Sequence, residues 1–171
     1  MKLKLLLAVL LVSSITLFAA MPKAGDAAPA FAGQDQDGNP VKLADFAGKK
    51  TVLLYFYPKD NTPGCTKEAC GFRDHLGELQ TNNVAVLGVS FDSAARHREF
   101  IAEYHLNFPL LADTNGVIAR AYDVKMPVMN MAKRVSFLIG TDGKIIRVTD
   151  AGNPETHFTE MQAAIAGLKQ N

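Results

Sequence analysis

Apolar and polar positions along the chain alternate between two regimes, continuous apolar runs and apolar residues at helical spacing. Val52 to Tyr57 (VLLYFY) is uninterrupted, preceded by Lys49-Lys50 and closed by Pro58, which predicts a strand buried on both faces. Phe72, Leu76 and Leu79 then recur at helical spacing, so one helix starting near Pro63 turns an apolar face to the sheet. Val84 to Phe91 reads as a second strand. Ser93 to Tyr104 reads as a helix with Phe100, Ile101 and Tyr104 inward, and Asn115 to Tyr122 as a shorter one. Val135 to Ile139 and Lys144 to Val148 flank Thr141-Asp142-Gly143, whose Asp-Gly step favours a tight hairpin. Phe158, Met161, Ile165 and Leu168 mark a closing helix, and Phe31 to Leu43 a short hairpin around Asp37-Gly38-Asn39-Pro40. Strands alternating with helices give a three-layer α/β domain around a mixed sheet.

Residues 1–21 fall outside this pattern. Met1 to Lys4 is basic and Leu5 to Ala20 is apolar, broken only by Ser13, Ser14 and Thr16, the build of a secretory signal peptide. The folded domain is therefore expected over residues 22–171, in a periplasmic or otherwise extracytoplasmic setting. Ala20 is small enough for a cleavage site, whereas Phe18 is bulky there, so a cut after Ala19 or an uncleaved N-terminal anchor tethering the domain to the membrane are both open.

Composition narrows the function classes. The 171 residues are 48% hydrophobic, enough for a single globular domain with a real core. A formal charge of +1 supplies no basic field for nucleic acid. Two cysteines, Cys65 and Cys70, lie within six residues of each other, so they cannot form the distributed framework of a small disulfide-stapled protein. Their role is local.

The segment from Tyr57 to Cys70 carries the chemistry, because it leads from a buried strand into the first turn of a helix, where functional groups gather. Thr62 suits the N-cap, its hydroxyl accepting from an orphaned N–H, and Pro63 suits the first helical position. Cys65 then lies in the first turn, where free N–H groups and the positive end of the helix dipole favour thiolate over thiol. An unperturbed thiol is only ~3% ionised at pH 7, so complete ionisation gains at most roughly thirty-fold. A fast enzyme therefore needs donors aimed at the substrate oxygens as well. Thr62, the backbone of the turn and a cationic side chain are the candidates.

Pro58, Thr62 and Cys65 match the Pro-x-x-x-Thr-x-x-Cys signature of peroxiredoxins. Thr62-Pro63-Gly64-Cys65-Thr66-Lys67-Glu68-Ala69-Cys70 resembles their bacterioferritin comigratory protein branch, also called peroxiredoxin Q. Similarity runs from Lys23 to Leu168, including Phe56-Tyr57-Pro58-Lys59-Asp60, Leu87-Gly88-Val89-Ser90 and Arg134-Val135-Ser136-Phe137-Leu138-Ile139. The resemblance implies a thioredoxin-like fold and a thiol peroxidase acting on hydrogen peroxide and alkyl hydroperoxides. Cys65 would be the nucleophile, Thr62 and Pro58 would shape the pocket, and Arg134 would support thiolate and peroxide. It also implies a monomer with no organic cofactor and no metal, re-reduced by a thioredoxin-like partner. Three features depart from the branch: Gly140 where the strand usually ends in Asp, a short Lys125 to Lys133 connection, and the export leader.

Cys70 is expected to resolve the oxidised Cys65. In an ideal helix, residues five apart have Cα atoms ~8.6 Å apart, whereas disulfides rarely bridge beyond roughly 7 Å. The first turns must therefore unwind once Cys65 is a sulfenic acid, and Gly64 and Gly71 bracket the moving segment. Competing readings are weaker. A static disulfide conflicts with the helix geometry, and a metal site from Cys65, Cys70 and His75 lacks a fourth ligand. An extracytoplasmic thiol–disulfide oxidoreductase would need Cys-x-x-Cys, where this chain has four intervening residues. A third rival, a non-enzymatic binding module, would use Met126, Met129 and Met131, whose thioethers suit Cu(I), but these methionines read better as adaptable packing at the pocket mouth. His75, His97, His105 and His157 read as surface or internally satisfied residues, and Glu68 as a first-turn acid complementing the helix dipole.

Overall fold

The run from Thr51 to Phe56 lies at the centre of a five-stranded sheet, and all six of its residues are buried. The computed structural model describes residues 20–168; leader residues 1–19 fall outside them. Two short antiparallel strands open the fold, β1 (Ala32–Gln34) and β2 (Pro40–Lys42), joined by the expected turn. A 3-10 turn at Leu43–Phe46 leads into β3 (Thr51–Phe56). Then follow α1 (Pro63–Asp74), α2 (Leu76–Thr81), β4 (Val84–Ser90), α3 (Ala94–Tyr104), β5 (Leu110–Ala112) and α4 (Val117–Ala121). The β6 (Val135–Ile139) and β7 (Ile145–Asp150) hairpin and α5 (Pro154–Gly167) close it.

The sheet order is β5-β4-β3-β6-β7, with β4 parallel to β3, β5 parallel to β4, and β6 and β7 each antiparallel to its neighbour. Alternation along β3 builds two cores. Leu53 and Tyr55 face one side with Phe72, Leu76, Leu79, Phe100, Met161 and Ile165, beneath α1, α2, α3 and α5. Val52, Leu54 and Phe56 face the other with Phe31, Ile118, Tyr122 and Phe137, beneath α4 and the N-terminal segment. Full burial of side chains this size is worth about 1.5–3 kcal/mol each, which explains why Val52 to Phe56 is apolar apart from the Tyr55 hydroxyl.

Three elements differ from the sequence reading. The helix expected from Pro63 through Leu79 is broken at His75, whose φ of −107° and ψ of 8° end α1 before α2 begins. The strand β5 was not anticipated: its three residues are too short to show a period, and its pairing with Gly88–Ser90 creates it. At the C-terminus α5 ends at Gly167, leaving Leu168 exposed rather than on the packed face.

Candidate active site

Cys65 owes its position to the way β3 gives out. Tyr57 still donates its N–H to the Val89 carbonyl at 3.2 Å, but Pro58 has no N–H to continue the ladder. The chain turns through residues 59–62, with Asn61 in the left-handed region at φ 56°, and enters α1 from an extended Thr62. Pro63 takes the first helical position and Cys65 the third, as expected. The Thr62 hydroxyl does not cap the helix. It donates to the Lys59 carbonyl at 3.0 Å, so it leaves the first-turn N–H groups to other partners.

The strand register brings Arg134 to the same place. Phe56 pairs with Val135 across β3 and β6, and Arg134, one residue earlier, therefore stands at the end of β3 from which α1 departs. Its Nη2 donates to the buried Cys65 Sγ at 3.3 Å, and Nη1 pairs with Glu68 Oε2. A guanidinium so placed holds a negative sulfur and presents further donors beside it. Gly64 makes the approach possible: a Cβ there would lie 3.1 Å from Arg134 Nη2 and 3.5 Å from Pro154 Cγ.

Glu68 is not a first-turn acid. It sits in the second turn of α1 with its side chain fully buried, and burial pushes its carboxyl up to about 8, outweighing the attraction of Arg134. Its Oε1 has no hydrogen-bond partner and lies 3.6 Å from His157 Nδ1. His157 in turn faces the Ala151 carbonyl through Nε2 at 2.7 Å and the Ser136 hydroxyl through Nδ1 at 2.9 Å. A carbonyl only accepts, so Nε2 carries the proton and, in the neutral ring, Nδ1 accepts from Ser136. Burial holds this imidazole below its ordinary range. At neutral pH the environment therefore favours neutral Glu68 and neutral His157, which leaves the Arg134 charge free for the sulfur.

Cys70 is half-buried, five residues along the same intact helix, and both thiols are free. Pro58 lines a separate shallow hollow of about 140 Å³ with Lys59, Phe91, Asp92, Asn130 and Met131. His75 engages the Gly71 carbonyl at 3.0 Å and packs on Phe158. Among the described residues no three His, Cys, Asp or Glu side chains converge as metal ligands. Cys65 and Arg134 thus come together as expected, with Thr62 at the same helix entrance. The sequence reading missed Glu68, Ser136 and His157 as members of the site. A signal existed for two of them: Glu68 lies one turn after Cys65, and His157 shares a helical face with Met161 and Ile165, where a polar residue needs a partner.

The AhpC/TSA family matches residues 24–148. Peroxiredoxin Bcp of Escherichia coli is 45% identical over 141 residues, covering 79% of this chain and 90% of its own. Chloroplastic peroxiredoxin Q of Sedum lineare is 35% identical over 156 residues, covering 90% and 83%. Among solved structures, peroxidoxin BcpB of Mycobacterium tuberculosis superposes with a TM-score of 0.80 at 33% identity, covering 85% of this chain and 97% of its own. The thioredoxin-like α/β fold follows, and the chain belongs to the AhpC/TSA family, in its Bcp or peroxiredoxin Q branch of thiol peroxidases.

Proposed function

We propose that this chain reduces hydrogen peroxide and alkyl hydroperoxides at Cys65, and the Arg134 donation to Cys65 Sγ at 3.3 Å is the observation that carries the reading. The thiolate attacks the outer peroxide oxygen, the O–O bond breaks, and its electron pair leaves with the departing oxygen, which takes a proton to become water or alcohol. Arg134 binds the thiolate in the ground state and has donors left for the oxygen that gains charge. Thr62 is suited to the opposite task. Its proton is committed to the Lys59 carbonyl, so its oxygen lone pairs remain to accept from the peroxide O–H.

Cys65 sulfenic acid then condenses with the Cys70 thiol, forming the S–S bond and releasing water. An intact helix keeps these positions ~8.6 Å apart, so α1 must open locally first. A thioredoxin-like dithiol takes the disulfide back to two thiols by exchange, becoming oxidised itself. The rival thiol–disulfide oxidoreductase lacks support, because Arg134 rather than a second nearby cysteine faces the reactive sulfur.

The leader leads us to place the enzyme in the periplasm or another extracytoplasmic setting, with residues 1–21 removed or retained as an anchor, and the family resemblance leads us to read it as a monomer. Among the described residues no helix is long and apolar enough to cross a membrane. Intact mass after one equivalent of peroxide tests the chemistry. Wild type should lose two hydrogens and Cys70→Ser should gain one oxygen, while Cys65→Ser should neither change mass nor consume peroxide in a reductant-coupled assay. Peroxide turnover by Cys65→Ser would overturn the assignment.

A further inference from the structure

Beneath the turn that carries Thr62 lies a second buried polar cluster that the reaction at Cys65 does not use. Tyr57, Asp60 and His97 are all within 2% of complete burial. The Tyr57 hydroxyl donates to Asp60 Oδ1 at 2.7 Å, and His97 Nδ1 meets Asp60 Oδ2 at 2.8 Å. His97 Nε2 faces the Leu111 carbonyl at 3.2 Å. That carbonyl can only accept, so Nε2 carries a proton, and the short Nδ1 contact needs a second proton between ring and carboxyl. The Asp60 N–H is itself held by Asp92 Oδ2 at 2.9 Å, an oxygen that also takes the Ser90 hydroxyl at 2.8 Å.

The cluster is a poor source of stability. Burying a carboxyl and an imidazole together carries a desolvation cost that cancels much of their attraction. What it does accomplish is fixation. Three consecutive residues are held: Asp60 by the cluster, left-handed Asn61 by its amide donating to Glu103 at 3.0 Å, and Thr62 by the Lys59 carbonyl. Two of the anchors outside the turn, His97 and Glu103, lie on α3, and the third, Asp92, lies just before it. The turn is thus clamped to a helix that takes no part in the chemistry.

We propose that the Asp60–His97–Tyr57 cluster, with α3 behind it, is a positioning device that sets the Thr62 oxygen relative to Cys65 and so governs reaction with peroxide. The proposal rests on the reading of Cys65 as peroxidatic. It separates two properties of the sulfur. Supporting the sulfur's charge falls to Arg134, which bonds Cys65 and Glu68 and makes no hydrogen bond to Tyr57, Asp60 or His97. Orienting a peroxide depends on the turn, which the cluster holds.

The test compares two reagents in a Cys70→Ser background, where only one thiol remains. Hydroperoxide needs an oriented pocket, whereas iodoacetamide needs only a thiolate. Asp60→Ala should lower the rate of Cys65 oxidation by hydrogen peroxide at least tenfold and leave alkylation by iodoacetamide within twofold. Asp60→Asn, which can still accept from Tyr57 and donate to a neutral His97 Nδ1, should recover most of the peroxide rate. An unchanged peroxide rate, an equal fall in both rates, or no rescue by Asn would overturn the proposal. Should Asp60→Ala fail to fold, Tyr57→Phe removes a single bond to Asp60 and must show the same split in milder form, an equal response to both reagents again overturning it. A parent chain that does not react with peroxide at all would instead bring down the assignment of Cys65.

Discussion

Gly64 and Arg134 approach so closely that a methyl group on residue 64 would stand 3.1 Å from the guanidinium nitrogen that donates to Cys65. Gly71, at the far end of the same segment, meets only Phe158, whose nearest atoms would lie 3.9 Å from such a methyl. Two glycines that look alike in the sequence therefore have different reasons to be there.

Their alanine variants should separate the two halves of the cycle. Gly64→Ala displaces Arg134 and should slow oxidation of Cys65. Gly71→Ala fits without a clash and favours the wound helix by about 0.5–1 kcal/mol. It should slow disulfide formation about two- to five-fold and leave the first step unchanged. Stopped-flow fluorescence, or quenched mass analysis of both steps, reads the difference.

Arg134→Met keeps the length of the side chain and removes its charge and donors. Loss of a comparable preorganised donor costs about 10²–10³ in rate, and a fall of that order in the second-order rate with peroxide is expected. Arg134→Lys should recover little, because one ammonium cannot serve sulfur, peroxide and Glu68 in a planar fork.

Glu68→Gln should change how both activity and stability respond to pH. As pH passes about 8, the Glu68 carboxyl ionises and competes with the sulfur for Arg134. The peroxide rate of wild type relative to Glu68→Gln should therefore decline across that pH. For stability, the folded carboxyl titrates at about 8 against 4.5 for the free group. Folded protein binds more protons in that window, so stability is fully present below about 4.5 and is lost as pH rises towards 8. Denaturation midpoints of the Gln variant should lack this slope.

His157 has the opposite sign. Its imidazole is held below the ordinary value of 6.5 by burial, so the unfolded chain binds more protons as pH falls below 6.5. Stability is present above that pH and declines beneath it. His157→Gln should be less stable at neutral pH, having lost a fitted pair of hydrogen bonds, yet flatter in its acid response, as thermal melts across the acid range would show.

The apolar runs at Val52–Tyr57 and Val135–Ile139 and the helical spacing of Phe72, Met161 and Ile165 were legible because burial imposes a pattern that any reader of the sequence can find. The helix entrance at Thr62-Pro63 was legible for a similar reason, since capping is a local matter of backbone conformation. Thr62 also shows the limit. Its place at the N-cap was right, but its hydroxyl turned to Lys59, because the left-handed Asn61 brings that carbonyl within reach. Likewise His75, at φ −107° and ψ 8°, breaks a helix whose apolar spacing runs on undisturbed, with Leu76 and Leu79 still in the core.

The sequence by itself determined the layers, the strand into which the reactive turn is set, and the identity of the two sulfurs, all of which depend on neighbours within a few residues. Only the tertiary structure decided what stands against Cys65. Arg134 is 69 positions away and arrives through the β3–β6 register, and His157 reaches Glu68 from α5. Charges and protons interact through distance in space, and the pKa of a carboxyl such as Glu68 is set by how much water the fold removes from it, a quantity that no local pattern records.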